Sequence, residues 1–370
     1  RNKADHLGLS NCVFSINGFI AKVSAENPDL IEYKALSVEK VYFGNVDSTD
    51  SFFDSFRNSY TGFDRWFARK CDEEAYICRS DSNKILGFLY LKTEDVSENY
   101  SDIEPPFSPK RRLKVGTFKV ESTGFRLGER FVKIIFDNAQ QRNVDEIYVT
   151  LFTDRGELVA LEELLYRWGF VYYGIKHNGG KEEKVLVKFL HKIIDNGTPK
   201  LNYPNISHLC NKFILPIMPQ YHTTLLPDSQ LNSENRIDFL GREPHRYALQ
   251  KVYISWASTN GAKPGDLILF YRMGLPGENK KYKSVVSTIA IVDEIIENIG
   301  SEENLLSLCQ NRSVFSVDEL KEFWRKHRYN LKILKFIFVK SLSKRLTLGY
   351  LWEHNIIAAP GGPRPFTPIT

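Results

Sequence analysis

Cysteine is scarce in this 370-residue sequence, and the five present (Cys12, Cys71, Cys78, Cys210, Cys309) are scattered and odd in number, with no CxxC pair. That spacing argues against a disulfide framework and a cysteine-based zinc site, and it points to a reducing cytoplasmic compartment. No run approaches the roughly 20 apolar residues that a membrane-spanning helix needs. The opening RNKADHLGLSN lacks the apolar core of a signal peptide. His6, His177, His208 and His222 share no ligand spacing, and His245 and His354 have no partner motif. A metal centre is therefore not expected. No internal repeat appears. Ser122 has no nucleophile elbow or sequence-local base around it, so a serine hydrolase has little support.

What is present fits a two-domain globular chain. Hydrophobic residues make up 42% and charged residues 26%, and the 25 Phe and 18 Tyr imply cores and clefts built from large rings. Charge is uneven. Residues 201–370 hold 21 Lys and Arg against 15 Asp and Glu, whereas residues 1–200 hold 29 against 30. Any nucleic-acid contact is thus expected in the second half, although an excess of this size also suits an ordinary soluble surface.

Residues 31–192 alternate strand and helix patterns. EYKALSVEKVYF reads as a strand, and SFFDSFRNSY and GFDRWFARKC read as short amphipathic helices. EAYICRS and KILGFLYLKTE read as a hairpin and LKVGTFKVES as an alternating strand. The helix RLGERFVKIIFDNAQQRN, the strand EIYVTLF, the helix GELVALEELLYRWGF and the closing strand KVLVKFL follow. Residues 193–218, rich in Gly, Pro and Asn, read as a linker. Over residues 219–358 the strong strand runs are VYISWAS, DLILFYRM, VSTIAIVDEII and KILKFIFVKSL, with LKEFWRKH as a helix before the last. Residues 359–370 read as a Pro/Gly-rich, loop-like tail.

The most informative stretch is 113–142. A strand from Leu113 to Glu121 runs through Ser122-Thr123-Gly124-Phe125-Arg126-Leu127-Gly128 into a long helix. Such a turn leaves amides unpaired at a helix start, where they and the helix dipole attract phosphate oxygens. Gly128 would let backbone approach a ligand, and Arg126 and Arg130 add positive charge.

With its flanking elements and the later LEELLYRWGF, this stretch resembles the GNAT superfamily of N-acetyltransferases, over about 160 residues. The family loop is Arg/Gln-x-x-Gly-x-Gly/Ala. Here its first Gly position holds Arg126 and its Arg/Gln position holds Thr123, while Tyr166 sits one residue later than the family's tyrosine. The resemblance implies acetyl-CoA as acyl donor. Its pantetheine arm would lie against Val120, Glu121 and Ser122, and its pyrophosphate on the amides of Arg126, Leu127, Gly128, Glu129, Arg130 and Phe131. An alkylamine acceptor is only about one part in 10³ to 10⁴ neutral at pH 7, a cost of roughly 4–5 kcal/mol that a general base offsets. Glu121 is the first choice for that base, with Asp154 or Glu157 as alternatives. Tyr166 is the candidate acid for the departing thiolate. A nucleophile that is already neutral would free these carboxylates for recognition instead.

In the second half, KPGDLILFYRMG and the helix-then-strand FSVDELKEFWRKH…LKILKFIFV resemble the PUA-like group that includes ASCH and EVE domains. That resemblance implies RNA binding in a cleft lined by Lys251, Tyr253, Trp256, Lys263, Tyr271 and Arg272. Residues 1–30 resemble the closing segment of a PIN nuclease domain, so a nuclease-like part preceding Arg1 is expected. The expected fold class is α+β: a GNAT mixed sheet flanked by helices, then a small PUA-like β-barrel. The expected function is acetyl-CoA-dependent N-acetyl transfer to an amine, RNA-linked and delivered by the second half. The competing expectation is a non-catalytic acyl-CoA-sensing, RNA-binding protein of a toxin–antitoxin type.

Overall fold

The computed structural model describes residues 38–80, 82–121, 126–152, 156–192, 198–207, 209–232, 234 and 243–369. The segment compared with a PIN domain, Ser122 and Asp154 lie outside them, as does the side chain of Glu157.

Eight strands form the first sheet: β1 (Val38–Tyr42), β2 (Glu74–Arg79), β3 (Ile85–Glu94), β4 (Ile103–Glu104), β5 (Arg112–Val120), β6 (Glu146–Phe152), β7 (Val171–Asn178) and β8 (Lys181–Phe189). Their order is β1-β2-β3-β5-β6-β8-β7-β4, and β5–β6 is the parallel pair. Between β1 and β2 lie α1 (Asp54–Ser59) and α2 (Phe63–Ala68). They set Phe53, Phe63 and Phe67 against Phe43 and Phe88, a cluster of edge-on and tilted rings. The crossover between the parallel strands is α3 (Leu127–Gln141), and α4 (Gly156–Arg167) precedes β7.

The hairpin β7–β8 was not anticipated in full. In the sequence only KVLVKFL reads as strand here. The turn Gly179-Gly180, with φ of +56° and +81°, lets β7 fold straight back onto β8.

Six strands form the second sheet, in the order β10-β13-β12-β11-β9-β14. They are β9 (Lys212–Ile217), β10 (Gln250–Ser255), β11 (Leu267–Arg272), β12 (Val285–Ile296), β13 (Lys332–Thr347) and β14 (Thr367–Ile369). The helices α5 (Glu302–Cys309) and α6 (Val317–His327) lie between β12 and β13. Ser316 and Glu319 form a reciprocal capping box at the start of α6. The turn Pro264-Gly265-Asp266 launches β11 as its residues suggest. Gly265 takes φ +92°, and Asp266 accepts from the amides of Lys263 and Asn211 at 2.9 Å each.

Two boundaries differ from the sequence reading. The stretch read as linker contains β9, which pairs in parallel with β11. The stretch read as a loose tail contains β14, which pairs with β9, and buries Phe366 against Phe213. Among the described residues β10 and β14 are the ends of this ladder.

The two sheets share one core. Tyr203 is buried between Phe136 and Trp168, at ring distances of 5.3 and 5.7 Å, and its hydroxyl donates to the Phe338 carbonyl at 3.3 Å. The helix α3 therefore packs on both sides. Phe131 faces Phe118 of β5, whereas Glu129 and Lys133 face the second half.

Candidate active site

The site begins with a defect in β5. Against β3, Tyr90 pairs with Thr117 and Leu91 with Val115, so Gly116 is an extra residue in the ladder. A Cβ at Gly116 would lie 2.7 Å from Tyr90 Cδ1, so the bulge needs glycine. A bulge bends its strand and raises the local twist. On the other side, β5 pairs with β6 only from Arg112–Glu146 to Val115–Val149. Beyond that point the facing edges, 116–120 and 150–152, part and leave backbone groups free of sheet pairing.

The opening is a cavity of about 1080 Å³. Gly116 to Glu121 and Val149 to Phe152 form its walls. One end is closed by α1 and the residues after it, from Asp54 to Tyr60. The other end holds Arg126, Leu127, Gly128, the α4 residues Leu158, Leu161, Leu164 and Arg167, and Asn311 from the second half.

At that end the N-cap residue of α3 makes no side-chain cap hydrogen bond among the described residues. Arg126 is the N-cap at φ +57°, and its carbonyl accepts from the Glu129 amide at 3.0 Å and the Arg130 amide at 3.4 Å. The Leu127 and Gly128 amides have no partner among the described residues. Arg126 Nε is buried without a hydrogen bond, and burial together with the Arg312 charge lowers the Arg126 pKa. A helix start beside two guanidiniums is suited to an anion.

Gly128 serves a different purpose from the one its position implied. A Cβ there would lie 2.8 Å from Leu164 Cδ2. The glycine admits α4 close to α3, rather than only a ligand to the backbone.

Glu121 lines the cavity at the end of β5. Its amide donates to the Leu86 carbonyl at 2.9 Å. Its carboxylate lies 2.9 Å from Lys119 Nζ and 3.7 Å from Lys84 Nζ. Lys119 is anchored in turn, donating to the Phe52 carbonyl at 2.6 Å. Val120 lines the same wall.

Several expected site residues are engaged elsewhere. The Glu129 carboxylate accepts from Arg312 and from the Leu249 and Gln250 amides, and Arg130 pairs with Asp228 at 2.8 Å. Both side chains are therefore part of the seam with the second half, not free phosphate ligands. Tyr166 lies outside the cavity wall, which α4 builds from Leu158, Leu161 and Leu164; its hydroxyl donates to Glu162 at 2.9 Å. Burial and Glu162 push its pKa up to about 12. The one-residue displacement noted in the sequence turns it to the outer face of the helix.

The tyrosine on the cavity wall is Tyr60, in the connection after α1. Its ring packs 5.0 Å from Phe152, and its hydroxyl donates to the buried Glu183 at 3.4 Å. The sequence showed Tyr60 only as the end of an aromatic helix pattern, with nothing local to link it to β8.

In the second half, the six expected nucleic-acid residues do not share one surface. Lys251 is buried, donating to the His245 carbonyl, and burial pushes its pKa down to about 7. Tyr253 donates to the Pro216 carbonyl, Tyr271 is core, and Arg272 is buried against Glu234. Each is held by strand packing that alternation alone could not assign to the inner face. Trp256 and Lys263 are exposed, with Trp256 stacked 4.3 Å from His327.

No protein-family model and no curated protein matches the chain. Among solved structures, it is similar to the NatC complex bound to Gag peptide and CoA, at 18% identity, covering 42% of this chain and 99% of that one, with a TM-score of 0.29. It is similar to Naa20 of Chaetomium thermophilum in complex with a bisubstrate analogue, at 12% identity, covering 41% and 85%, with a TM-score of 0.31. It is also similar to a mutant form of the ASCH protein of Zymomonas mobilis, at 13% identity, covering 43% and 88%, with a TM-score of 0.29. All of these scores are low.

Proposed function

We propose that this chain is an N-acetyltransferase that uses acetyl-CoA, bound in the gap between β5 and β6. The observation that carries the reading is the bulge at Gly116, where the two parallel strands part and a cavity opens onto the start of α3. Three features fit the carrier. The unpaired edges of β5 and β6 offer backbone groups to an amide-bearing arm. The Leu127 and Gly128 amides, with Arg126 and Arg167, offer donors and positive charge to phosphates. The orphaned Arg126 Nε is a buried donor still in need of an acceptor.

Bound acetyl-CoA supplies an activated thioester acyl group. This chain's part is to orient the acceptor amine and remove its proton. Glu121, held by Lys119 at the end of β5, is the base. Its exposure to the cavity lets it reach the amine directly or through one water. Tyr60 replaces Tyr166 as the tyrosine hydroxyl at the wall. The RNA-linked acceptor is read on Trp256 and Lys263, the two exposed members of the expected set, because aromatic stacking and positive charge hold single strands.

Calorimetric titration with CoA, followed by CoA-release assays with an amine library and total RNA, tests the proposal. Binding with acceptor-dependent release is expected. Failure to bind CoA overturns the reading, and binding without release on any acceptor favours the acyl-CoA sensor.

A further inference from the structure

The third residue of α3 is an acid, in the first turn of the helix whose start faces the anion end of the cavity. An acid there suits the helix dipole but repels phosphate. The structure resolves the conflict with residues from the other half of the chain. Glu129 is buried, and its carboxylate accepts from the Leu249 amide at 3.0 Å and the Gln250 amide at 3.2 Å. Arg312 closes a two-pronged pair on it, Nη2 to Oε1 at 2.7 Å and Nη1 to Oε2 at 3.2 Å. Burial raises the Glu129 pKa, but the Arg312 charge and hydrogen bonds outweigh it, so the net shift is downward and the carboxylate stays charged.

Arg312 is itself fixed. Its amide donates to the Cys309 carbonyl at 3.1 Å, its own carbonyl accepts from Val252 at 3.3 Å, and Nη1 also donates to the Gln250 carbonyl. The preceding residue, Asn311, takes φ +59° in the turn after α5 and stands on the cavity wall that Arg126, Gly128 and Arg167 also line. The second half thus supplies a polar residue to the cavity wall and a cation that helps offset its misplaced acid.

Building on the acetyl-CoA reading of the cavity, we infer that Asn311 and Arg312 belong to the acyl-carrier site. Arg312 is a positioning residue that neutralises Glu129 at the helix start. Asn311 offers its side-chain amide to the nucleotide end of the carrier. The first half alone would leave Glu129 with only Arg126, at 3.7 Å, as a counter-charge beside the phosphates.

The test is calorimetry on the full chain with CoA, dephospho-CoA and pantetheine as probes. If the wild type binds no CoA, the cavity reading itself fails. Given wild-type binding, Arg312→Met is expected to weaken CoA about tenfold or more, because a buried carboxylate loses its partner. Pantetheine, which lacks phosphate, should change by less than about twofold, since the loss is electrostatic. Adding Glu129→Gln to Arg312→Met should restore most of the CoA affinity. Asn311→Gly keeps the left-handed backbone and should weaken CoA and dephospho-CoA about threefold or more while sparing pantetheine. Equal loss for pantetheine, no rescue by the double variant, or unchanged CoA binding in both single variants overturns the inference. If Arg312→Met fails to fold, Asn311→Gly decides alone.

Discussion

Replacing Lys188 with methionine should stabilise the protein, and more so at pH 7 than at pH 9. Lys188, in β8, is fully buried. Its ammonium donates to the Leu201 carbonyl at 2.5 Å and lies 5.9 Å from the centroid of the Phe136 ring, and burial is the cause of its shift, with no charged partner among the described residues. Burial pushes its pKa down from 10.5 to about 7. The folded state therefore holds the proton less tightly than the unfolded chain. The penalty is fully present below about pH 7 and is released as pH rises toward 10.5. Linkage puts that penalty at about 4 kcal/mol at pH 7 and about 2 kcal/mol at pH 9. Methionine keeps the flexible stem and removes the charge, at the loss of one hydrogen bond worth about 1 kcal/mol. The variant should gain about 3 kcal/mol at pH 7 and about 1 kcal/mol at pH 9. Urea unfolding followed by tryptophan fluorescence is a fitting assay, since Trp168 is buried in the same core cluster as Phe136. A gain that is the same at both pH values, or a loss at pH 7, would refute the reasoning.

Three further outcomes follow from the site. Glu121→Gln should lower acetyl transfer to an alkylamine about a hundredfold at neutral pH while leaving CoA affinity unchanged, and an aniline acceptor, already neutral, should be spared; paired kinetics and calorimetry check this. Tyr166→Phe should keep the rate within about twofold, because its hydroxyl meets only Glu162 outside the cavity, and a large loss in steady-state rate would return Tyr166 to the mechanism. Gly116→Val should cost about 1–3 kcal/mol of stability, since its Cβ meets the Tyr90 ring, and should weaken CoA binding even at temperatures where the variant stays folded.

Much of the framework was legible because it is written locally. The alternation of β5, the turn at Pro264-Gly265-Asp266 and the Ser316/Glu319 box each concern residues a few positions apart. The misreadings share the opposite property. β9 read as linker because its prolines, Pro216 and the adjacent Pro219, mask a strand whose partner, β11, begins some fifty residues later. Glu129 and Arg130 read as members of a phosphate-binding turn, and their partners, Arg312 and Asp228, are visible only in three dimensions. The positive excess of the second half likewise overstated its surface charge, since Lys251, Arg246 and Arg272 are buried. The parting of β5 and β6 has a local cause, an extra glycine in the ladder, that is plain only from the register.

Tyr203, wedged between rings of the first half and bonded to a strand of the second, has a consequence for how the protein can be handled and how it ages. Neither half ends in a finished surface, so cutting the chain near residue 192 would bare an oily wall that invites clumping. Heat should melt both halves in a single step, and anything that grips the cavity should protect the far sheet from proteases as much as the near one.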